Sequence, residues 1–312
     1  MNNFIISIQA VIPMFCMMLV GLLVRKYKIL NDEELPNVNN LVFRVFLPLL
    51  MFTDIYDTRI SNAFDTKLII FVITAIFVVY FVALVFTLLI EKNNASRGAM
   101  IQAIYRSNFV IMGLPIVSNI CGNKNLGMTA VMVCIVIPIY NVLAVITLET
   151  FRGGKIHLRK VLFGILSNPL IIGAVVGILA VLLKIQLPAI LDKTISEISA
   201  AATPMALIVL GASFRLSSIS NCRRNLIISV VGRLIIVPGL CLTVAALLGL
   251  RNSAFVTLFG IFATPCAVSS FTMAQQMDSD SELAANSVVF TSALACLTMF
   301  FWIFLFKGLG MF

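Results

Sequence analysis

Charge is what this sequence has least of. Asp, Glu, Lys and Arg make up 11% of its 312 residues, against 61% hydrophobic residues. A water-soluble domain carries about 25% charged and about 45–50% apolar residues. A soluble fold of this length could not hide the excess apolar surface, whereas a bilayer accepts it as lipid-facing area. Histidine is limited to His157, in a basic stretch, so a histidine-built metal centre is not expected. The seven cysteines (16, 121, 134, 222, 241, 266 and 296) contain no C-x-x-C pair and mostly sit in apolar runs, where Cys packs as a small hydrophobe. Acids are also few: 13, against 22 Lys and Arg, for a net charge of +9. That balance resembles a nucleic-acid binder only until the positions are read. The basic residues fall mostly in short segments between apolar runs, which is a signal of membrane topology and not of a nucleic-acid surface. Mean hydropathy is +1.08.

What is present is a series of long apolar runs. A crossing of the hydrocarbon core takes about 20 residues. Ten intervals qualify, at about 4–24, 37–56, 67–90, 97–120, 126–148, 161–183, 189–213, 225–249, 253–276 and 284–306. The first has no basic residue before it and is followed by Arg25 and Lys26, which predicts a first membrane span and not a cleaved leader. With the N-terminus outside, 12 Lys and Arg fall in inside segments, 7 in outside segments, and Arg44, Arg106 and Arg233 lie within spans. This split favours a multi-pass protein of the cell (plasma) membrane with both termini outside and a cytoplasmic basic loop at 149–160. That loop divides the chain into 1–150 and 151–312.

The two parts carry the same marks. Pro13 and Pro169, Gly21 and Gly177, and Pro48 and Pro204 are each 156 residues apart. A duplicated unit of five helices, an odd number, enters the membrane upside down in its second copy, the inverted-repeat plan of many secondary transporters. The expected fold is therefore an all-α polytopic membrane protein, ten transmembrane helices as two inverted five-helix repeats. Such carriers bind solute where helices break near the midplane. Interval four reads Arg106-Ser-Asn-Phe-Val-Ile-Met-Gly-Leu-Pro115, and interval nine reads Ala263-Thr-Pro-Cys-Ala-Val-Ser-Ser-Phe-Thr272. Proline removes a donor and its ring clashes with the preceding turn, so regular helix is expected to fail at Pro115 and Pro265. Helices four and nine should be broken and should cross, with half-helix N-termini presenting N–H groups to an anion.

These stretches resemble the auxin efflux carrier family. Ile12-Pro-Met-Phe, Asn40-Leu-Val-Phe and Phe46-Leu-Pro-Leu-Leu-Met-Phe look like its first two helices; Arg106-Ser-Asn-Phe with Gly113-Leu-Pro looks like its fourth. Ser167-Asn-Pro-Leu resembles its sixth, Met205 to Ser213 its seventh, and Thr264-Pro-Cys-Ala-Val-Ser-Ser-Phe with Met273-Ala-Gln-Gln-Met its ninth. The resemblance covers nearly the whole chain in the family's order. It implies a scaffold set and a crossover set of helices, elevator-like alternating access, and a fold similar to bile-acid sodium symporters. It also implies an organic carboxylate as solute: bacterial members are associated with malate and malonate, and plant members carry auxin. The short loop at 149–160 is similar to the bacterial forms. Asn108 matches the Asn of the fourth-helix motif, and Pro115 and Pro265 match the crossover prolines. Cys266 stands where many relatives have another small residue.

The candidate substrate-binding residues are thus Asn108, Arg106, Gly113, Pro115, Tyr140, Asn141, Pro265, Cys266, Ser269 and Ser270. Asn108 can contact solute or join helices. Ser269 and Ser270 can bind a carboxylate or pack closely. Tyr140 and Asn141, after Pro138, can line a cavity or mark a contact at a kink. Arg106 can hold an anion by a bidentate contact, or snorkel to the inner surface as Arg44 and Arg233 are expected to do. Gln275 and Gln276 can contact a cation or serve structure near the interface. No catalytic group, metal or cofactor is expected; a coupling ion, H+ or Na+, is the one addition considered, though the spans hold no strongly acidic cluster. Expected partners are the small carboxylate and the bilayer, with a homodimer possible and nucleic acid excluded. The rival readings are a sodium- or proton-coupled symporter of another organic anion, a non-transporting membrane receptor, and a membrane enzyme. Intervals four and nine hold no Asp, Glu or His, which argues against the enzyme.

Overall fold

Helix accounts for the regular structure of the described residues, apart from one isolated antiparallel bridge between Ser107 and Cys266. A computed structural model describes residues 2–56, 65–121, 127–152, 158–215 and 219–312. Arg59, Lys124, Lys155 and His157 lie outside them.

Each of the ten intervals read from hydropathy contains helix. The first is α1 (Asn2–Lys26); the second is α2 (Leu35–Leu41) and α3 (Leu47–Tyr56), joined by a π-helical turn at Val42–Phe46. Then come α4 (Thr66–Ile90), α5 (Asn94–Tyr105), a π-turn at Phe109–Gly113, α6 (Leu114–Cys121) and α7 (Gly127–Phe151). The rest comprises α8 (Leu158–Leu166), α9 (Pro169–Leu182), α10 (Ala189–Ala200), α11 (Ala202–Ser213), α12 (Ile219–Val231), a π-turn at Gly232–Ile236, α13 (Val237–Leu247), α14 (Asn252–Phe262), α15 (Ser269–Gln276) and α16 (Ser281–Gly308). Local chemistry sets many of the starts. The Asp65 carboxylate accepts from the N–H groups of Lys67 and Leu68 (3.0 and 3.1 Å), Asn93 accepts from Ala95 (2.9 Å), and Asp280 accepts from Leu283 (2.9 Å). Each satisfies donors that a helix N-terminus leaves open.

Six helical stretches among the described residues are long and apolar enough to cross a membrane: Leu35–Tyr56, Thr66–Ile90, Gly127–Phe151, Ala189–Ser213, Ile219–Leu247 and Ser281–Gly308. Phe109–Cys121, Pro169–Leu182 and Asn252–Phe262 are shorter apolar helices. Helices α4 and α7 show the two environments. Both are strongly apolar, with mean hydropathy 3.1 and 2.5, yet 28% of the first and 67% of the second is buried. Only lipid makes the exposed face of α4 tolerable.

Proline and glycine shape the interior. The three π-turns among the described residues each end two residues before a proline, at Pro48, Pro115 and Pro238. A wider turn suits the carbonyl that loses its donor where proline has no N–H, and gives the ring the room it needs. Helices α1 and α11 touch backbone to backbone: a Cβ on Gly21 would lie 2.0 Å from the Ile208 carbonyl oxygen, and one on Gly211 would lie 2.0 Å from that of Met18. Small residues allow this approach, which drives helix association in lipid.

Candidate functional site

The two interrupted intervals meet. After α5 the chain leaves the helix through Arg106, Ser107 and Asn108 before turning helical again, and after α14 it is unwound over Ala263–Val268. Ser107 and Cys266 pair as an antiparallel bridge, and the Asn108 N–H donates to the Pro265 carbonyl at 2.8 Å. The Cys266 N–H donates to the Thr291 hydroxyl of α16 at 3.1 Å. Backbone groups released by unwinding are thus satisfied by each other and by a neighbouring helix, as a buried break requires.

The expected breaks need one correction. Pro265 lies in the unwound stretch, but helix does not fail at Pro115. It fails at Arg106–Asn108, and Pro115 falls in α6 just after the π-turn that accommodates it. Pro115 itself is exposed, and Gly113 packs against α14, where an added Cβ would lie 2.7 Å from the Gly260 carbonyl oxygen.

The crossing has two chemical ends. At one end lie the C-termini of α5 and α14, whose last carbonyls have no helical partners. Arg233 takes them. Its guanidinium is 0% exposed and donates to Ile104 and Tyr105 (3.4 and 3.1 Å), to Ile261 and Phe262 (3.1 and 2.9 Å), and to Thr264 (2.8 Å). The expectation that Arg233 snorkels to the inner surface is therefore corrected. Five backbone oxygens at the negative ends of two helix dipoles hold the charge in place. Arg44, by contrast, is exposed.

At the other end is a cavity of about 90 Å³. Arg106, Asn108, Tyr140, Asn141 and Ser269 line it together, from five of the ten candidate positions. Its wall includes Phe109, Val110 and Ile111, the first turn of the helical run that follows the break, and Ser269, the first residue of α15. Two helix N-termini therefore open on this cavity. Arg106 is 3% exposed and does not snorkel. It donates to the Gln102 Oε1 at 3.2 Å, to the Met273 sulfur and, in a very short bond, to the Asn141 Oδ1. None of these partners is a carboxylate, and among the described residues it makes no ion pair. Asn108 is 4% exposed, and its side-chain nitrogen has no partner. Tyr140 accepts from the Ser107 hydroxyl at 3.5 Å and stacks edge-on with Tyr105.

The other candidates lie elsewhere. Pro265, Cys266 and Ser270 are buried at the crossing but do not line the cavity. Gln275 faces a separate pocket with Asp32, Arg215 and Glu282. Gln276 lines a third cavity and donates to the Pro36 carbonyl at 3.3 Å. Neither glutamine reaches the crossing cavity. Sequence reasoning also missed three polar lining residues: Ser107, Thr203 and Asp54. Asp54 had a signal, as the single acid in interval 37–56. Among the described residues, no group of three or more His, Cys, Asp or Glu could hold a metal ion.

Comparison with known proteins agrees in kind. A family model described as membrane transport protein matches residues 6–303. An uncharacterized transporter of Methanocaldococcus jannaschii is 20% identical over 304 residues, covering 95% of this chain and 98% of its own. A protein of Rhizobium meliloti, provisionally named a malonate transporter, is 22% identical over 296 residues, covering 93% and 92%. With apolar helices able to span a bilayer and a match along nearly its full length, this chain is an integral membrane transporter belonging to the auxin efflux carrier family of membrane transport proteins.

Proposed function

We propose that this transporter carries small organic carboxylates, such as malonate or malate, and holds the carboxylate in the cavity at the crossing. The observation that carries this reading is the charge balance of the crossing. The negative helix ends have a resident cation in Arg233, while the positive ends, with Arg106 and the unpartnered Asn108 amide, open on a cavity. A carboxylate there would receive N–H groups at helix N-termini, a bidentate guanidinium contact and the Asn108 amide. The name of the Rhizobium meliloti relative points to the same class of solute.

The same proposal covers the architecture: ten spans as two inverted five-helix repeats in the plasma membrane, both termini outside, with one bundle moving against the other in an elevator-like cycle. Two correspondences support it. Gly21 seats α1 on α11, and Gly177, 156 residues on, sits in α9 against Phe52 and Ile55 of α3. The first interval thus pairs with the seventh as the sixth pairs with the second, and the breaks at 106–108 and 263–268 recur at a similar offset.

Uptake of labelled mono- and dicarboxylates into proteoliposomes tests the reading. A small dicarboxylate should be taken up, and Asn108→Ala should weaken uptake about tenfold. Unchanged uptake of every transported acid in that variant removes the cavity from the pathway. A second reading, proton-coupled symport, is favoured by Asp54, which adds one titratable carboxylate to the lining. On that reading an inward proton gradient stimulates uptake, and Asp54→Asn abolishes the stimulation; a sodium requirement with no pH response would exclude it.

A further inference from the structure

A polar cavity lies away from the crossing, beside the basic loop. It measures about 590 Å³ and is lined by Arg44, Glu149, Arg152, Arg159, Phe163 and Asn168, among others. Its charges are unevenly committed. Arg152 is held by two carboxylates, Glu149 at 3.4 Å and Asp278 at 2.8 Å. Arg44 and Arg159 form no ion pair or hydrogen bond among the described residues. Among the described residues, the cavity therefore keeps two arginines without a protein anion. The Asn168 Oδ1 caps α9 by accepting from Leu170 at 3.0 Å, so the positive end of that helix opens on the same space.

The cavity also has an apolar flank. Phe163 lines it and is 72% exposed; Leu162 and Leu166, on the same side of α8, are 56% and 72% exposed. In an integral membrane protein such a face is covered by acyl chains. Arg152 follows the last residue of α7 and Arg159 lies in the first turn of α8, so the arginines flank the loop at the membrane boundary, the side the basic residues mark as cytoplasmic.

We propose that this cavity binds the headgroup of an anionic phospholipid, with Arg44 and Arg159 on the phosphodiester and the acyl chains along Phe163, Leu162 and Leu166. A free dicarboxylate would use the arginines but not the apolar flank; a zwitterionic lipid would use the flank but bring a cation to the arginines. Basic pockets between helices on the cytoplasmic side take anionic headgroups in this way. The site would anchor the α7–α8 junction to the bilayer surface. It does not depend on which solute is carried.

Native mass spectrometry and thermal unfolding of the purified full chain in detergent test this, with phosphatidylglycerol, phosphatidylcholine and soluble glycerol 3-phosphate as probes. Phosphatidylglycerol should bind and raise the unfolding temperature, while the other two should do neither. The double variant Arg44→Gln, Arg159→Gln should unfold at the wild-type temperature without lipid and bind phosphatidylglycerol roughly tenfold or more weakly. The Arg44→Lys, Arg159→Lys pair should keep most of the binding. Equal binding by the glutamine variant, an equal response to phosphatidylcholine, or an equal response to glycerol 3-phosphate overturns the proposal. The last of these would make the cavity a free-anion site.

Discussion

Two buried arginines bear on the same crossing, and they are held in opposite ways. Arg233 donates to five backbone carbonyls, at and just past the ends of α5 and α14. Arg106 bonds only to neutral side chains, those of Gln102, Met273 and Asn141, and borders a cavity. The first is saturated by oxygens that belong to the fold. The second is oriented by neutral groups and makes no ion pair among the described residues, beside helix ends that favour an anion and on a cavity whose one lining carboxylate is Asp54. A buried charge is tolerated where it is balanced. Arg233 is therefore read as structure and Arg106 as function, and the contrast can be broken by experiment.

The largest effect should come from Arg233→Met. Removing the guanidinium leaves carbonyls of both half-helices unpaired in a dry interior, a loss on the order of 3–5 kcal/mol by analogy with broken buried ion pairs. Thermal unfolding in detergent should reveal a protein that barely folds, and Arg233→Lys should recover only part, because three donors cannot reach five oxygens. A stable, active Arg233→Met protein would contradict the structural assignment. Gly211→Val should come next: a side chain where the Met18 carbonyl already sits would push α1 from α11, costing about 1–3 kcal/mol as overpacking.

Arg106→Gln should separate binding from folding. If Arg106 contacts the solute as proposed, the change removes a charged contact, about 1.5–3 kcal/mol or roughly 10- to 150-fold in uptake, and should leave the unfolding temperature close to wild type. Smallest of all should be Gln276→Ala. Its amide makes one surface bond to Pro36 and lies outside the crossing cavity, so uptake and stability should stay within about 0.5 kcal/mol. A loss of uptake there would return the glutamines to the pathway.

Much of this was legible in the sequence, for physical reasons. Hydropathy located the helices because membrane helices are written in long apolar runs, and Pro265 marked a true break. Pro115 misled because a π-turn absorbs a proline at less cost than unwinding. The break at Arg106–Asn108 is instead fixed by pairing with Pro265 and Cys266, contacts about 160 residues away in the chain and invisible to local rules. Arg233 was unreadable for the same reason: its partners are backbone oxygens, which no side-chain motif encodes. Arg106 and Asn108 are legible as polar residues of an apolar run that also holds a proline, and Tyr140 and Asn141 as polar residues just after Pro138. Ser107 and Thr203 had no such mark, and Asp54 was overlooked although a lone acid in a span is itself a signal.

The central claim is that the charge of Arg106 awaits the solute while that of Arg233 belongs to the fold. Equilibrium binding of the transported carboxylate to wild-type and Arg106→Gln protein, matched in unfolding temperature, tests it most directly. A well-folded variant with affinity lowered at least about tenfold is the predicted result; a well-folded variant with wild-type affinity would contradict it.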